Sequence, residues 1–250
     1  YASRGLGDVY KRQFILERTM GENEIRNLAD SHAGIDKWKK AGFNELQVLE
    51  ITKGNDNGVD ISIYASPEYN SRQMKVIRMA LEEGIDVSAM ADPEYNYMQM
   101  EQIKEGIKEG IDLSLICNPK YDYSVMREIR LALKYRFDLT RYAKLGYSGE
   151  VLRQIRLAKR DDVDLTFFVD ENFDAHQLNE IRIGLLKCVD VSKYMLHEYT
   201  ADQMKQLRLG LEAGIDITKY NMIGFSSGQM EQIRLSLIHI SEPTRRVVIS

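Results

Sequence analysis

Residues 70–95 read NSRQMKVIRMALEEGIDVSAMADPEY, and the pattern of this stretch returns along the chain. Anchored on the aspartate of its Gly-Ile-Asp turn, the copies fall at Asp60, Asp86, Asp112, Asp138, Asp164, Asp190 and Asp216, each 26 residues after the last, with an irregular forerunner at Asp36. A fixed period of this size marks an architecture of stacked units, in which each unit buries its apolar face only against its neighbours.

One unit can be read residue by residue. Ten residues after each anchor stands Asn70, Asn96, Asp122, Ser148, Asp174, Thr200 or Ser226. All are helix N-cap residues, whose short side-chain oxygen accepts from the unpaired amides of the first turn. Gln73, Gln99, Gln177, Gln203 and Gln229 lie three residues further on and complete a capping box; Val125 and Val151 replace the glutamine in the other two units. An aromatic residue before the cap (Tyr69 to Phe225) and a Met or Leu at the fourth helical position form a hydrophobic staple. Gly84, Gly110 and Gly214 sit where a left-handed residue ends the helix. A helix of about 13 residues is marginal alone in water, so each one needs neighbours. After the anchor comes a short turn with a Ser or Thr and then an aromatic or aliphatic residue, which predicts a 3₁₀-like helix capped by the aspartate or the hydroxyl. Ser66-Pro67, Asp92-Pro93 and Asn118-Pro119 turn the chain back to the next helix.

The expected fold is therefore all-α: a right-handed α-solenoid of long helix plus short, 3₁₀-like helix, with period 26. The expected domains are a foreign segment over 1–13, divergent repeats over 14–60 with a helix from Glu22 to about His32 and another from Asn44 to about Lys53, regular repeats over 61–237, and a foreign tail over 238–250. YASRGLGDVYKRQ at the start and LSLIHISEPTRR at 235–246 resemble translated sequencing-adapter peptides. Gly54-Asn55-Asp56-Asn57-Gly58 reads as a turn, because it lacks the spacing and twelfth-position Glu of a calcium loop. Trp38 reads as core filling.

With 29% charged residues and a net charge of −4, the chain carries no global basic field, which disfavours nucleic acid as a partner. No apolar run approaches membrane-spanning length. Two cysteines at unrelated repeat positions, Cys117 and Cys188, make neither a disulfide framework nor a metal site and suit a reducing, cytoplasmic setting. The four histidines do not pair with cysteines or carboxylates at metal-ligand spacing, and no phosphate loop or nucleophile elbow occurs. The expected catalytic, cofactor and metal residues are accordingly none.

Two rows run along the helices. Ala80, Gly106, Ala132, Ala158, Gly184 and Gly210 are small; Arg78, Lys104, Arg130, Arg156, Arg182, Arg208 and Arg234 are basic. The basic row reads as structural, each stem covering the small residue of the neighbouring helix and each guanidinium reaching a repeat Asp or a carbonyl. A further apolar row, Met79, Leu131, Leu157, Ile183 and Leu209, falls almost opposite the core face, interrupted by Glu105. Residues 120–160 hold 11 basic and 4 acidic residues, between acidic flanks over 66–112 (5 against 10) and 161–216 (5 against 12). The candidate partner-binding residues are therefore Arg127, Leu131, Lys134, Arg153, Leu157 and Arg160, with the basic groups steering an acidic amphipathic peptide onto the leucines.

The motif E-Q-I-R-x-G-[LI]-x-x-G-[IL]-D-[IVL]-S-x-Y-A-x-P-x-Y, over roughly residues 44–235, resembles uncharacterised helical repeat tracts of large bacterial proteins, and the architecture is similar to the leucine-rich repeat variant, an α/3₁₀ solenoid. That resemblance bears on architecture alone; the expected function, read from the repeated surface, is a non-enzymatic scaffold, a fragment of a larger protein, that binds a protein or peptide partner. A nucleic-acid-binding helical repeat and a passive spacer between domains are the alternatives.

Overall fold

The computed structural model describes residues 38–241 apart from 172. Every regular element among these residues is helical, and none is a strand. The chain forms two compact units that divide between Thr140 and Arg141. The adapter-like segment 1–13, the helix expected from Glu22, the Gly34-Ile35-Asp36 forerunner and the end of the tail lie outside the described residues.

In the first unit, α1 (Glu45–Asp56), α2 (Ser71–Glu82), α3 (Tyr97–Glu109) and α4 (Tyr123–Leu133) pack each on the next. In the second, after the short α5 (Thr140–Lys144), the long helices α6 (Gly149–Arg160), α8 (Ala175–Leu186), α9 (Ala201–Glu212) and α10 (Ser227–Ser241) do the same, with the short α7 (Thr166–Asp170) between α6 and α8. Long helices stacked in sequence order are what the 26-residue pattern demands, because a lone amphipathic helix of this length has nothing to bury against. Met74, Ile77, Ala80, Met90, Met100 and Ile103 form the continuous core of the first unit, all without solvent exposure.

The caps behave as read. Asn70 Oδ1 accepts from the amides of Arg72 and Gln73 while Gln73 Oε1 accepts from the Asn70 amide, and the same box closes at Asn44, Asn96, Asp174 and Thr200. Ser226 and Gln229 exchange the same pair of bonds. At Asp122 and Ser148, where valine replaces glutamine, only the cap side chain accepts. Asp60, Asp112, Asp190 and Asp216 each cap a three-residue 3₁₀ helix by accepting from the amide two residues on. The anchors at Asp138 and Asp164 precede five-residue α-helices instead, α5 and α7. The left-handed residue that ends each long helix recurs at Gly58, Gly84, Gly110, Arg136, Asp162, Cys188 and Gly214. Three of these carry a Cβ in a conformation that disfavours one by about 1–2 kcal/mol, and the stack holds them there. Position 240, the next in that spacing, is Ile, and α10 runs through it to Ser241, so the Leu-Ile-His-Ile stretch is helical rather than extended.

Three expectations need correction. First, Gly54, Asn55 and Asp56 belong to α1 and not to a turn, and only Gly58 is left-handed. Gly54 is a member of the small row. Second, the small row does not lie under a neighbouring arginine stem. Its glycines lie under side chains of their own repeat: a Cβ on Gly54, Gly184 or Gly210 would come within 1.8–1.9 Å of the hydroxyl of Tyr64, Tyr194 or Tyr220, and one on Gly106 within 2.9 Å of Ile116. These tyrosines are fully buried and donate to the carbonyls of Glu50, Glu180 and Gln206 at 3.1–3.3 Å. Ala80 and Ala158 stand ten positions before Met90 and Phe168, which lack the hydroxyl; the pairing is not general, since Gly106 precedes Ile116 and Ala132 precedes Tyr142, which lies in the α-helical α5.

The third correction concerns the basic row. Arg78 Nε donates to Glu50 Oε2 at 2.9 Å, Arg130 Nε to Gln102 Oε1 at 3.2 Å, Arg182 Nε to Gln154 Oε1 at 3.3 Å, Arg208 Nε to Glu180 Oε2 at 2.9 Å and Arg234 Nε to Gln206 Oε1 at 3.1 Å. Each partner lies 28 residues back, on the preceding long helix, and is neither an anchor Asp nor a carbonyl. The guanidinium is planar and offers several donors, so an acid is bound as a second partner by Arg78, Arg130, Arg182 and Arg208: Glu82, Glu109, Asp161 and Glu212 respectively. Val76 occupies the acceptor position facing Lys104, and that shorter cation turns to Glu83 at 2.9 Å.

The Gly–Tyr pairing gives a sharp expectation. Gly184→Ala should destabilise the second unit by about 2–4 kcal/mol, since its methyl and the Tyr194 hydroxyl claim the same space. Adding Tyr194→Phe should recover most of that loss, as the natural Ala158 and Phe168 combination implies. A urea-unfolding cycle checks both, and full additivity of the two changes would contradict the packing described.

Candidate partner-binding surface

The six residues singled out from sequence are divided between the two units. Arg127, Leu131 and Lys134 lie on or at the end of α4 in the first, and Arg153, Leu157 and Arg160 lie on α6 in the second. Leu131 and Leu157 are half-buried, neither in the core nor fully open. The apolar row they belong to continues in the second unit as Ile183 and Leu209, also half-buried, and Leu235, which is exposed. Met79 of the first unit is exposed.

The basic residues are less free than their count suggests. Arg127 lies 3.3 Å from Glu128, and Lys134 lies 2.5 Å from Glu109, a carboxylate that Arg130 also binds. Arg160 bonds Asp161 at 2.8 Å, and Asp161 in turn holds Arg182 at 2.5 Å. Arg130 is buried, so it contributes nothing to an external field. Arg153 is exposed, and among the described residues it has no ion-pair partner. Much of the excess positive charge over 120–160 is therefore neutralised by acids that lie nearby in space, several of them outside that segment or on the preceding helix.

The structure also forms a groove that sequence reasoning did not find. An open depression of about 650 Å³ lies between the N-terminal halves of α8 and α9, lined by His176, Asn179, His197, Glu198, Asp202 and Lys205 among others. His197 stacks on Phe173 with ring centroids 4.0 Å apart. His197 occupies the position that is Pro67, Pro93 and Pro119 in the first unit, and that substitution was the available signal. Loop residues Leu196, Met222 and Ile223, at the neighbouring Ser-Pro positions, are exposed hydrophobics. Among the described residues no group of three or more His, Cys, Asp or Glu side chains could hold a metal ion. Cys117 is half-buried, Cys188 exposed, and both thiols are free. Burial pushes the Cys117 thiol up.

No family model, no curated protein and no solved structure matches the chain. Among the described residues no helix is long and apolar enough to cross a membrane.

The ion pairs at this surface predict a pH response. Burial works to raise the pKa of Glu109, but the hydrogen bonds and charges of Lys134 and Arg130 outweigh it and hold the carboxyl below its ordinary range. Asp161 is held down by its bond from Arg160 and by Arg182, against a smaller effect of burial. A carboxyl whose folded pKa is depressed contributes stability that is present above its unfolded pKa, near pH 4, and lost as pH falls through the folded value. Stability in urea should therefore be level from about pH 7 to 5 and fall below about pH 4. Glu109→Gln should make that fall shallower in the first unit, and an unchanged slope would show that the pair is not formed.

Proposed function

We propose that this chain is a non-enzymatic, cytoplasmic repeat scaffold that binds a protein or peptide partner of acidic, amphipathic character, as a segment of a larger bacterial protein. One observation carries the reading. The side chains that recur in every repeat are spent inside the stack, as caps, clamps and buried pairs, whereas Leu157, Ile183, Leu209 and Leu235 recur at one helix position and stay partly open to solvent. A surface that repeats with the period of the fold suits an extended ligand. At the start of this row Arg153 is exposed beside Leu157, and in the other unit Arg127 flanks Leu131. An apolar strip edged by cations suits a segment that alternates acidic and apolar residues, with charge setting encounter rate and the leucines setting residence. Free thiols at Cys117 and Cys188 accord with a reducing compartment.

The test uses a synthetic amphipathic peptide bearing Leu on one face and Glu on the other. It should bind more weakly as salt rises, and Arg153→Glu should reduce affinity about tenfold, in line with loss of one close charge pair. Thermal stability should stay level, because among the described residues Arg153 has no ion-pair partner. Lys134→Glu is a poor probe, since it sets a second acid against Glu109. Equal affinity for the variant and the parent would overturn the peptide reading, and salt-dependent binding of single-stranded RNA in its place would favour the nucleic-acid alternative.

A further inference from the structure

The last two interior boundaries, α8 to α9 and α9 to α10, are each made by three side chains of one helix that reach toward the next. On α9 these are Gln203, whose Nε2 donates to the Phe225 carbonyl at 2.7 Å; Gln206, whose Oε1 accepts from Arg234 at 3.1 Å; and Leu207, which is fully buried. On α8 the same positions are Gln177, Glu180 and Ile181, all buried. The last long helix repeats the three types in register as Gln229, Gln232 and Ile233. There Gln229 is exposed and, among the described residues, its Nε2 has no acceptor; Gln232 is exposed; and Ile233 is only half-buried.

We propose that this face of α10 is a docking surface for a further repeat unit of the same pattern, from outside these 250 residues, that turns two loop carbonyls to Gln229 and brings an arginine to Gln232. The interface is continuous with those already formed: the side chains, their spacing and their hydrogen-bond roles are those of α8 and α9. A second copy of this chain does not fit the surface through its first described helix. The position of the arginine row on α1 is Thr52, whose hydroxyl donates to the Val48 carbonyl of its own helix. The surface thus calls for a donor that the described part of the chain does not offer.

The experiment replaces residues 239–250 with a copy of residues 187–212, which continues the register of Ile238. The copied Tyr199 carbonyl then falls 22 residues after Gln229 and the copied Arg208 falls 28 residues after Gln232, the separations seen at the interior boundaries. Amide hydrogen exchange over Met230–Arg234 reads the result, with a scrambled copy as the length control. Protection should rise about tenfold or more in the extended chain, because both faces of α10 are then covered. Gln229→Glu keeps the oxygen that caps Ser226 but removes the donor; it should leave protection in the parent within about twofold and cancel most of the gain in the extended chain. No rise in protection, or a rise indifferent to Gln229→Glu, overturns the proposal. So does head-to-tail association of the parent in sedimentation, which would make the occupant a second copy.

Discussion

One side chain ties most repeats to the next. The glutamine at the third helical position uses both ends of its amide. Its oxygen accepts from the amide of its own N-cap, and its nitrogen donates to two carbonyls of the loop that leads into the following helix. Gln73 reaches Pro93 and Tyr95 at 3.1 and 2.6 Å, and Gln99 reaches Pro119 and Tyr121 at 3.0 and 2.6 Å. Gln47, Gln177 and Gln203 make the same pair of contacts. The side chain is buried, with Gln73 at 4% exposure, so satisfaction of all three of its bonds is required: an amide left unpaired there would cost about 1–3 kcal/mol. Because the start of one helix and the entry to the next are fixed by the same group, the spacing of 26 is enforced locally at each boundary that carries the glutamine.

The other recurrent contacts depend on that placement. Once neighbouring helices are in register, the arginine row meets the Glu or Gln row of the helix before it. A buried ion pair of this kind is weak evidence for stability, but a mismatched one leaves a charge uncompensated, so the ladder penalises slipped stacking. In three repeats a Tyr hydroxyl meets Gly across from it (Tyr64 and Gly54, Tyr194 and Gly184, Tyr220 and Gly210), and that closeness lets the 3₁₀ helix lie flat on the long one. The boundary that lacks the glutamine at Val151 is instructive. The loop it would clamp follows α7, a five-residue α-helix rather than a 3₁₀ helix, and there Tyr147 takes over a link, donating to the Val169 carbonyl at 3.3 Å.

Much of this was legible in the sequence because helix caps, staples and left-handed termini are local rules. Asn70 with Gln73, or Tyr69 with Met74, can be read within five residues. The contacts that join repeats are not local. Nothing in one copy says that Gln73 also donates to residue 95, that Arg78 looks back to Glu50, or that Gly54 is small because Tyr64 has a hydroxyl. These show only when copies are compared for what changes together: Val76 with Lys104, Ala80 with Met90. The candidate surface was legible as charge counts and helix positions. Its pairing was not, because Glu109 and Asp161 come to Lys134 and Arg182 from preceding helices.

The central claim is that the glutamine acts across the boundary and not only as a cap. Gln203→Glu separates the two roles, because the carboxylate still accepts from the Thr200 amide but can no longer donate to the carbonyls of Ile223 and Phe225. Unfolding in urea as a function of pH is the direct measurement. The account predicts a loss of about 1–3 kcal/mol at pH 7, shrinking as pH falls and the carboxyl gains a proton to donate. A variant as stable as the parent at pH 7, as a capping role alone would give, contradicts it.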